Sequence, residues 1–377
     1  MARILIAANS IWNIRNFRSG LIRALVDRGH DVVTVAPGPQ GVELDEMPIR
    51  HRPCSIDRSG TNLLREIKSL RGLARIVREE RPHLFLSFTI KPNIYGSLVC
   101  RFLKVPAIPN VSGLGTTFLG GSAFRCAVLM LYRIAFARAG TVFFQNPDDR
   151  DLFVSQKIVR PCQAVVLPGS GVDLSHFVPD VLPRDLSFLM IGRLLRDKGV
   201  YEFVEAARKL KARLPDATFS ILGEIDPQNP TAIPEHQIEQ WTAQGVIEYA
   251  GSAHDVRPFI RRSSAIVLPS YREGLPRTLL EGAAMGRPLI GTDVPGCRQL
   301  VRDGSTGFLC RAADADSLAA AMERFAAMPY VQRARMGERA RAMAEEEFDE
   351  GLVIGIYLDA AERLTSEAPD HARKPGR

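Results

Sequence analysis

The strongest constraint in this chain is an alternation that runs its course twice. Short apolar runs and helix-length segments follow one another. In the first half, Ile4–Ala8, Asp31–Ala36, His83–Ser87, Ala107–Val111, Thr141–Gln145 and Ala164–Leu167 read as strands. Between them, Phe17–Asp27, Leu63–Arg78, Tyr95–Leu103 and Phe124–Arg138 carry apolar residues at helical spacing. After Pro183 the rhythm restarts, with strands at Leu186–Ile191, Ala217–Leu222, Val246–Tyr249, Ala265–Leu268 and Pro288–Gly291. Helices are expected at Val200–Arg213, Thr278–Met285 and Asp316–Ala326. Strands separated by such helices predict a parallel sheet covered on both faces, so the fold class is α/β with two doubly wound units. A length of 377 residues agrees, because single cores rarely grow that large. The expected domains are residues 1–176 and 177–347, joined in Asp173–Arg184. A helix at 348–364 would pack back on the first domain, and a polar tail, 365–377, would be disordered. Ligands of open α/β sheets bind outside the carboxyl ends of the strands, which makes the gap between the two domains the expected site.

Composition narrows the class. Hydrophobic residues make up 46% and charged residues 24%, as in soluble globular proteins. Six scattered cysteines contain no C-x-x-C pair, so reduced thiols in a cytoplasmic protein are expected. The opening Met1–Ile6 is too short for a signal peptide and reads as a strand. The most apolar region, Ala123–Ala139, is interrupted by Arg125, Arg133 and Arg138 and cannot span a bilayer. The net charge of +7 is uneven: residues 1–176 carry 23 Lys and Arg against 13 Asp and Glu. A basic first half suits anionic lipid head groups, a phosphorylated acceptor or nucleic acid.

Two motifs carry chemistry. Ile191-Gly192-Arg193-Leu194-Leu195-Arg196-Asp197-Lys198-Gly199 follows a strand and precedes a helix. Arg193 and Lys198 flank its turn and can hold a diphosphate, the first as a fork and the second as a point charge. A lone basic loop of this kind is more often simply solvated. The second motif, Ser270-Tyr271-Arg272-Glu273-Gly274-Leu275-Pro276-Arg277-Thr278-Leu279-Leu280-Glu281, also joins a strand to a helix. Gly274 permits a sharp turn, and Pro276 suits a first helical turn whose amides, near Arg277, Thr278 and Leu279, favour a phosphate. Glu273 precedes that turn and Glu281 is expected about two turns into the helix, too far for a paired acid–base dyad. The plain alternative makes Glu281 a solvated residue and Glu273 a charge that complements the helix dipole. Both motifs lie in one half, hence on one edge of one sheet.

Together the motifs resemble the family 4 retaining glycosyltransferases of the two-Rossmann GT-B architecture. The G-R-L-x-x-D-K-G loop, the E-x7-E motif with G-L-P inside it, and the turn Gly169–Phe177 are similar to that family's signatures. Thr89–Gly96, Gly113-Leu114-Gly115 and Leu222–Pro230 resemble its bacterial capsular and O-antigen branch, which elongates lipid-linked oligosaccharides. The resemblance implies that Arg193 and Lys198 neutralise the leaving diphosphate and that Glu273 contacts the transferred sugar. It implies that Glu281 accepts bonds from the ribose, and that Gly274, Leu275, Arg277 and Thr278 bind sugar and phosphate. Gly223 and Glu224, with the Gly251–Asp255 loop, would surround the nucleoside. The implied donor is a nucleoside-diphosphate hexose or N-acetylhexosamine with uridine as the base. The acceptor is a lipid-diphosphate saccharide met by Lys91, Arg15 and Arg18 in the first domain. No cofactor or metal is expected, since cations replace the metal and Asp314-Ala315-Asp316 reads as a helix cap. The protein would work on the cytoplasmic face of the inner membrane, with the helix around Phe124–Arg138 at its surface.

The sequence departs from the family in one place. Asn9–Arg18 stands where many members have a glycine-rich loop, and no histidine matches the family's sugar-contacting one. No side-chain base is therefore assigned. A dehydrogenase is excluded because Gly169-Ser170-Gly171 lacks the third glycine of the dinucleotide fingerprint. No aromatic-interleaved basic strip points to nucleic acid. The remaining alternatives are a sugar-nucleotide epimerase of the same architecture and a catalytically inactive binding scaffold.

Overall fold

A computed structural model of the chain describes residues 1–39, 49–56, 63–114, 122–227 and 229–366. Gly115, Gln228 and the tail beyond Ser366 lie outside the described residues. The chain divides into two compact units: Met1–Leu167 together with the stretch from Leu352, and Pro168–Gly351. The segment Asp173–Arg184 falls inside the second unit.

The first unit holds a parallel sheet of β1 (Arg3–Ala7), β2 (Asp31–Ala36), β3 (Arg50–Pro53), β4 (Leu84–Phe88), β5 (Ala107–Val111), β6 (Val142–Phe144) and β7 (Ala164–Val166). Their order is β3-β2-β1-β4-β5-β6-β7. Its helices are α1 (Ile11–Asp27), α2 (Leu63–Glu80), α3 (Ile90–Leu103), α4 (Ser122–Phe136) and α5 (Pro147–Ser155). Ile4, Leu5, Ile6, Leu84, Phe85 and Leu86 are all buried, which is the near-continuous apolar run of a strand covered on both faces. α1 begins at Ile11, six residues before the expected start at Phe17. Ser10 is extended and its hydroxyl accepts the Asn13 amide at 3.1 Å, capping the helix. From Ile11 onward, the stretch read as a glycine-free loop is therefore helix.

The second unit repeats the plan with β8 (Ser187–Ile191), β9 (Thr218–Leu222), β10 (Glu248–Tyr249), β11 (Ala265–Leu268), β12 (Leu289–Thr292) and β13 (Gly307–Cys310), in the order β10-β9-β8-β11-β12-β13. Its helices are α6 (Val200–Lys211), α7 (Glu235–Ala243), α8 (Arg257–Arg261), α9 (Arg277–Ala284), α10 (Cys297–Leu300), α11 (Ala315–Ala326) and α12 (Tyr330–Glu347). One face of the sheet buries Phe188, Phe203 and Phe219, each contributing about 1.5–3 kcal/mol by leaving water. The other buries Leu189, Ile266 and Leu279 under α9. The last helix, α13 (Glu350–Ser366), returns to the first unit. There Tyr357 is buried against Phe88 and Phe143, with ring centroids 5.9 and 4.8 Å away. Its hydroxyl accepts from Asn110 Nδ2 at 2.5 Å.

Candidate active site

Each sheet reverses its winding once, between β1 and β4 and again between β8 and β11. The loops that leave such a pair of strands diverge over opposite faces and open a crevice at the carboxyl edge, where ligands of these sheets bind. In the second unit β8 leads into Gly192-Arg193-Leu194-Leu195, a 3-10 turn at Arg196–Lys198, Gly199 and then α6. Its neighbour β11 leads through residues 269–276 into α9. The two sequence motifs therefore do share one sheet edge.

The loops also touch. Gly199 has φ +78°, and a Cβ there would lie 2.2 Å from the Pro269 carbonyl oxygen, so only glycine allows this approach. The Tyr271 amide donates to the Asp197 carbonyl at 2.9 Å. Lys198 Nζ lies 2.5 Å from Glu273 Oε1, with the two side chains 22% and 13% exposed. Arg193 is held differently. Its side chain is 55% exposed and meets Asp226 Oδ2 only at 3.8 Å, a contact that contributes little in water.

The turn carrying these cations is buttressed from behind. Thr231 Oγ1 donates to Asp197 Oδ1 at 2.7 Å, and the Arg196 amide donates to the Thr231 carbonyl at 2.8 Å. The Glu224 carbonyl accepts the Leu194 amide at 3.1 Å, and the Gly223 carbonyl accepts the Tyr249 hydroxyl at 3.0 Å. Gly223 and Glu224 are thus fixed beside the Arg193 turn by their backbones.

Glu281 differs from the sequence expectation in its place on the helix. α9 starts only at Arg277, so Glu281 lies one turn into the helix rather than two. It is buried, which removes the solvated alternative: Arg277 Nε donates to Glu281 Oε1 at 3.0 Å, while Arg277 reaches the Gly171 carbonyl at 3.3 Å. Burial raises the Glu281 pKa above the ordinary carboxylate range, and the Arg277 charge opposes the rise. Pro276 occupies the N-cap position and offers no side-chain acceptor to the amides that follow, including that of Thr278. Leu275 points inward against Gly169, where an added Cβ would fall 2.3 Å from Leu275 Cδ2. The Gly274 carbonyl packs on Gly296, leaving 2.2 Å for a Cβ there. The Arg277–Glu281 pair had a readable signal, the i,i+4 spacing of opposite charges on a helix.

In the first unit the candidates sit on the two helices that start at the corresponding reversal. Arg15 and Arg18 lie on α1, which follows β1, and Lys91 lies in the first turn of α3, which follows β4. Arg15 is exposed, but Arg18 is buried, its guanidinium 3.8 Å over the Phe88 ring. Lys91 Nζ lies 2.5 Å from Glu66 Oε1, and the Tyr95 hydroxyl donates to Glu66 Oε2 at 2.7 Å. Thr89, just before α3, has φ +73° and ψ 160°, a region essentially reserved for glycine. Such strain next to Lys91 marks the loop as a functional candidate. His51 is buried beside Thr34 Oγ1 at 3.0 Å, and His83 accepts the Arg3 amide at the amino end of β4. Both histidines have structural partners.

Asp314 caps α11 by accepting the Ser317 amide at 2.8 Å, as its position before a helix suggests. Among the described residues no group of three or more His, Cys, Asp or Glu side chains gathers. All six cysteines are free, four of them buried.

Comparison with known proteins identifies the family and the fold. Residues 185–327 match the family described as glycosyl transferases group 1, and residues 14–169 match the glycosyl transferase 4-like domain. The N,N'-diacetylbacillosaminyl-diphospho-undecaprenol alpha-1,3-N-acetylgalactosaminyltransferase of Campylobacter jejuni is 24% identical over 93% of this chain and 96% of its own. The UDP-Gal:alpha-D-GlcNAc-diphosphoundecaprenol alpha-1,3-galactosyltransferase of Escherichia coli is 28% identical over 70% of this chain and 71% of its own. Among solved structures, sucrose-phosphate synthase from Thermosynechococcus elongatus superposes with a TM-score of 0.83 at 19% identity, over 98% of this chain and 100% of that one. Anabaena HepE in complex with UDP-glucose superposes with a TM-score of 0.76 at 17% identity, over 97% and 100% of the two chains. At these identities the superpositions establish the fold, GT-B, and the family matches on both halves establish the rest: the chain belongs to the group 1, family 4-like glycosyltransferases and is a glycosyl-transferring enzyme.

Proposed function

We propose that this enzyme moves a hexose or N-acetylhexosamine from a uridine diphosphate sugar to a lipid-diphosphate-linked saccharide during assembly of a bacterial surface glycan. The observation that carries the reading is the convergence of Arg193, Lys198 and Glu273 on one edge of the second sheet, at its winding reversal. Transfer breaks the bond between the anomeric carbon and a phosphate oxygen, so negative charge grows on the diphosphate. Lys198 and Arg193 would neutralise that charge, and stabilisation of this kind is typically the largest catalytic contribution. The amides that open α9 would bind the same diphosphate, and Glu281 would accept from the ribose hydroxyls. Glu273, four residues before the start of α9, would orient the sugar.

The acceptor hydroxyl would attack from the face that the diphosphate leaves. Its oxygen forms the new bond to the anomeric carbon, and its proton passes to the departing phosphate oxygen. Configuration is retained, and no metal is invoked, because the two cations supply the charge. The relatives support the substrate classes: two of them are named for diphospho-undecaprenol acceptors, and one solved neighbour holds UDP-glucose. Lys91 and Arg15 in the first unit would meet the acceptor's diphosphate.

The same reading places the first unit at a membrane surface. Residues 81–147 contain seven Lys and Arg and no Asp or Glu. Within that stretch α4 exposes Met130, Leu131 and Ile134 beside Arg133, and α3 exposes Phe102. Arg101 donates to the Ile134 carbonyl at 2.7 Å, which ties the end of α3 to this face of α4. Apolar side chains flanked by arginines suit an interface of head groups and acyl chains. Among the described residues no helix is long and apolar enough to cross a membrane.

The stereochemical part is tested by proton NMR of the anomeric centre during transfer. Product with the donor's own anomeric configuration supports same-face attack, and inverted product refutes it.

A further inference from the structure

We propose that Tyr271 and Glu202 form a positioning pair that sets Glu273 against Lys198; this rests on the transferase reading above. Lys198 and Glu273 arrive on loops from two different strands. Their mutual ion pair cannot be what fixes them during turnover, because a donor diphosphate would draw Lys198 to itself. Some other tie must keep the Glu273 loop in register with the Lys198 turn.

Three ties join the loops behind the ion pair. Two are made by backbone: the Gly199–Pro269 approach and the bond from the Tyr271 amide to the Asp197 carbonyl. The third depends on side chains. Tyr271 Oη donates to Glu202 Oε1 at 2.7 Å. Glu202 is the third residue of α6, the helix that starts directly after Gly199, so its charge is favoured by the helix dipole and its position follows the Lys198 turn. Its second oxygen, Oε2, is buried with no hydrogen-bond partner, which makes the phenol its essential donor. Burial and this bond push the Tyr271 pKa up to about 12, so the phenol remains a donor at any physiological pH. Asp197 is itself held by Thr231 Oγ1. Tyr271 stands two residues before Glu273, and Asp197 one residue before Lys198, so a shift at either tie moves the carboxylate relative to the ammonium group.

A double-mutant cycle tests the pair. Turnover and donor KM are measured for Tyr271→Phe, Glu202→Ala, Glu202→Gln and the Tyr271→Phe/Glu202→Ala double variant. Tyr271→Phe and Glu202→Ala should each lower kcat about tenfold, the rate equivalent of one hydrogen bond to a charged group, with donor KM within about twofold. The double variant should be no slower than either single one. Glu202→Gln, whose amide oxygen still accepts from the phenol, should recover most of kcat. Wild-type kcat in Tyr271→Phe, or single losses that multiply in the double variant, would overturn the pairing. So would a kcat loss matched by an equal loss of donor binding, which would make the contact merely structural. The wild-type rate in the same assay tests the transferase reading, and the ratios to it test the pair.

Discussion

Lys198 and Glu273, 75 residues apart in sequence, meet at 2.5 Å across two loops that leave adjacent strands. The pair keeps a cation and a carboxylate preorganised in a half-buried place where a diphosphate and a sugar would otherwise have to be met by mobile side chains. Lys198→Ala should lower kcat about a hundredfold to a thousandfold, as the loss of one preorganised group at a developing charge does. Glu273→Gln should do the same, and circular dichroism should show both variants folded. Near-normal turnover in both would remove the two residues from the chemistry.

Glu281 should leave a pH signature on stability. Its folded pKa is raised, so its favourable contribution is complete below the unfolded carboxylate value and is lost as pH rises through the folded one. At neutral pH the buried charge therefore costs stability that Glu281→Gln removes. Thermal unfolding should show the variant more stable than wild type at pH 7 to 8, with the gap closing toward pH 4. The same variant should raise donor KM about tenfold by weakening charge-assisted bonds to the ribose. A gap that widens on acidification would contradict the assignment.

Arg287 is a purely structural group. It is fully buried and donates to five backbone carbonyls, those of Asp180, Val181, Ile260, Arg261 and Met285. Burial lowers its pKa to about 10, which still leaves it charged at neutral pH. Arg287→Met would leave those carbonyls unmet and should cost about 3 kcal/mol or more, read as a lower denaturation midpoint in urea. An unchanged midpoint would mean that water replaces the guanidinium.

Vesicle binding tests the membrane face. Wild-type protein should sediment with vesicles containing anionic phospholipid and less so with neutral ones, and added salt should release it. Arg133→Glu combined with Ile134→Asp should weaken binding by at least tenfold, since each basic residue near an anionic surface contributes about 1 kcal/mol. Equal sedimentation of wild type and variant would rule this face out.

Much of the fold was legible because a covered parallel sheet writes itself as apolar runs between helical periods. The placement of the Arg193–Lys198 and Glu273–Glu281 turns was legible too, since glycine and proline between an apolar run and a helical period mark a strand–turn–helix transition. What escaped has physical causes. The start of α1 was missed because its cap is a single serine, Ser10, and because Asn9–Arg18 was read as a loop although Ile11 and Ile14 already continue the helical spacing. The place of Glu281 on its helix was misread because α9 starts only at Arg277, which puts the carboxylate one turn from the loop. Arg18 reads as a cation for the acceptor's diphosphate, yet it is buried and stacks on Phe88, a contact 70 residues away that no local pattern encodes. The Tyr271–Glu202 bond is hidden in the same way, as a product of β8 and β11 lying side by side.

In the proposed reaction a sugar passes from a nucleotide to a lipid-linked saccharide. Its most direct test is mass spectrometry of reactions that combine wild-type protein, a panel of nucleotide sugars and undecaprenyl-diphosphate saccharides, each run with and without the acceptor. The predicted result is one acceptor heavier by a single glycosyl residue, with release of nucleoside diphosphate that requires the acceptor. A donor converted to another sugar nucleotide in the acceptor's absence, or no product across the panel, would contradict it.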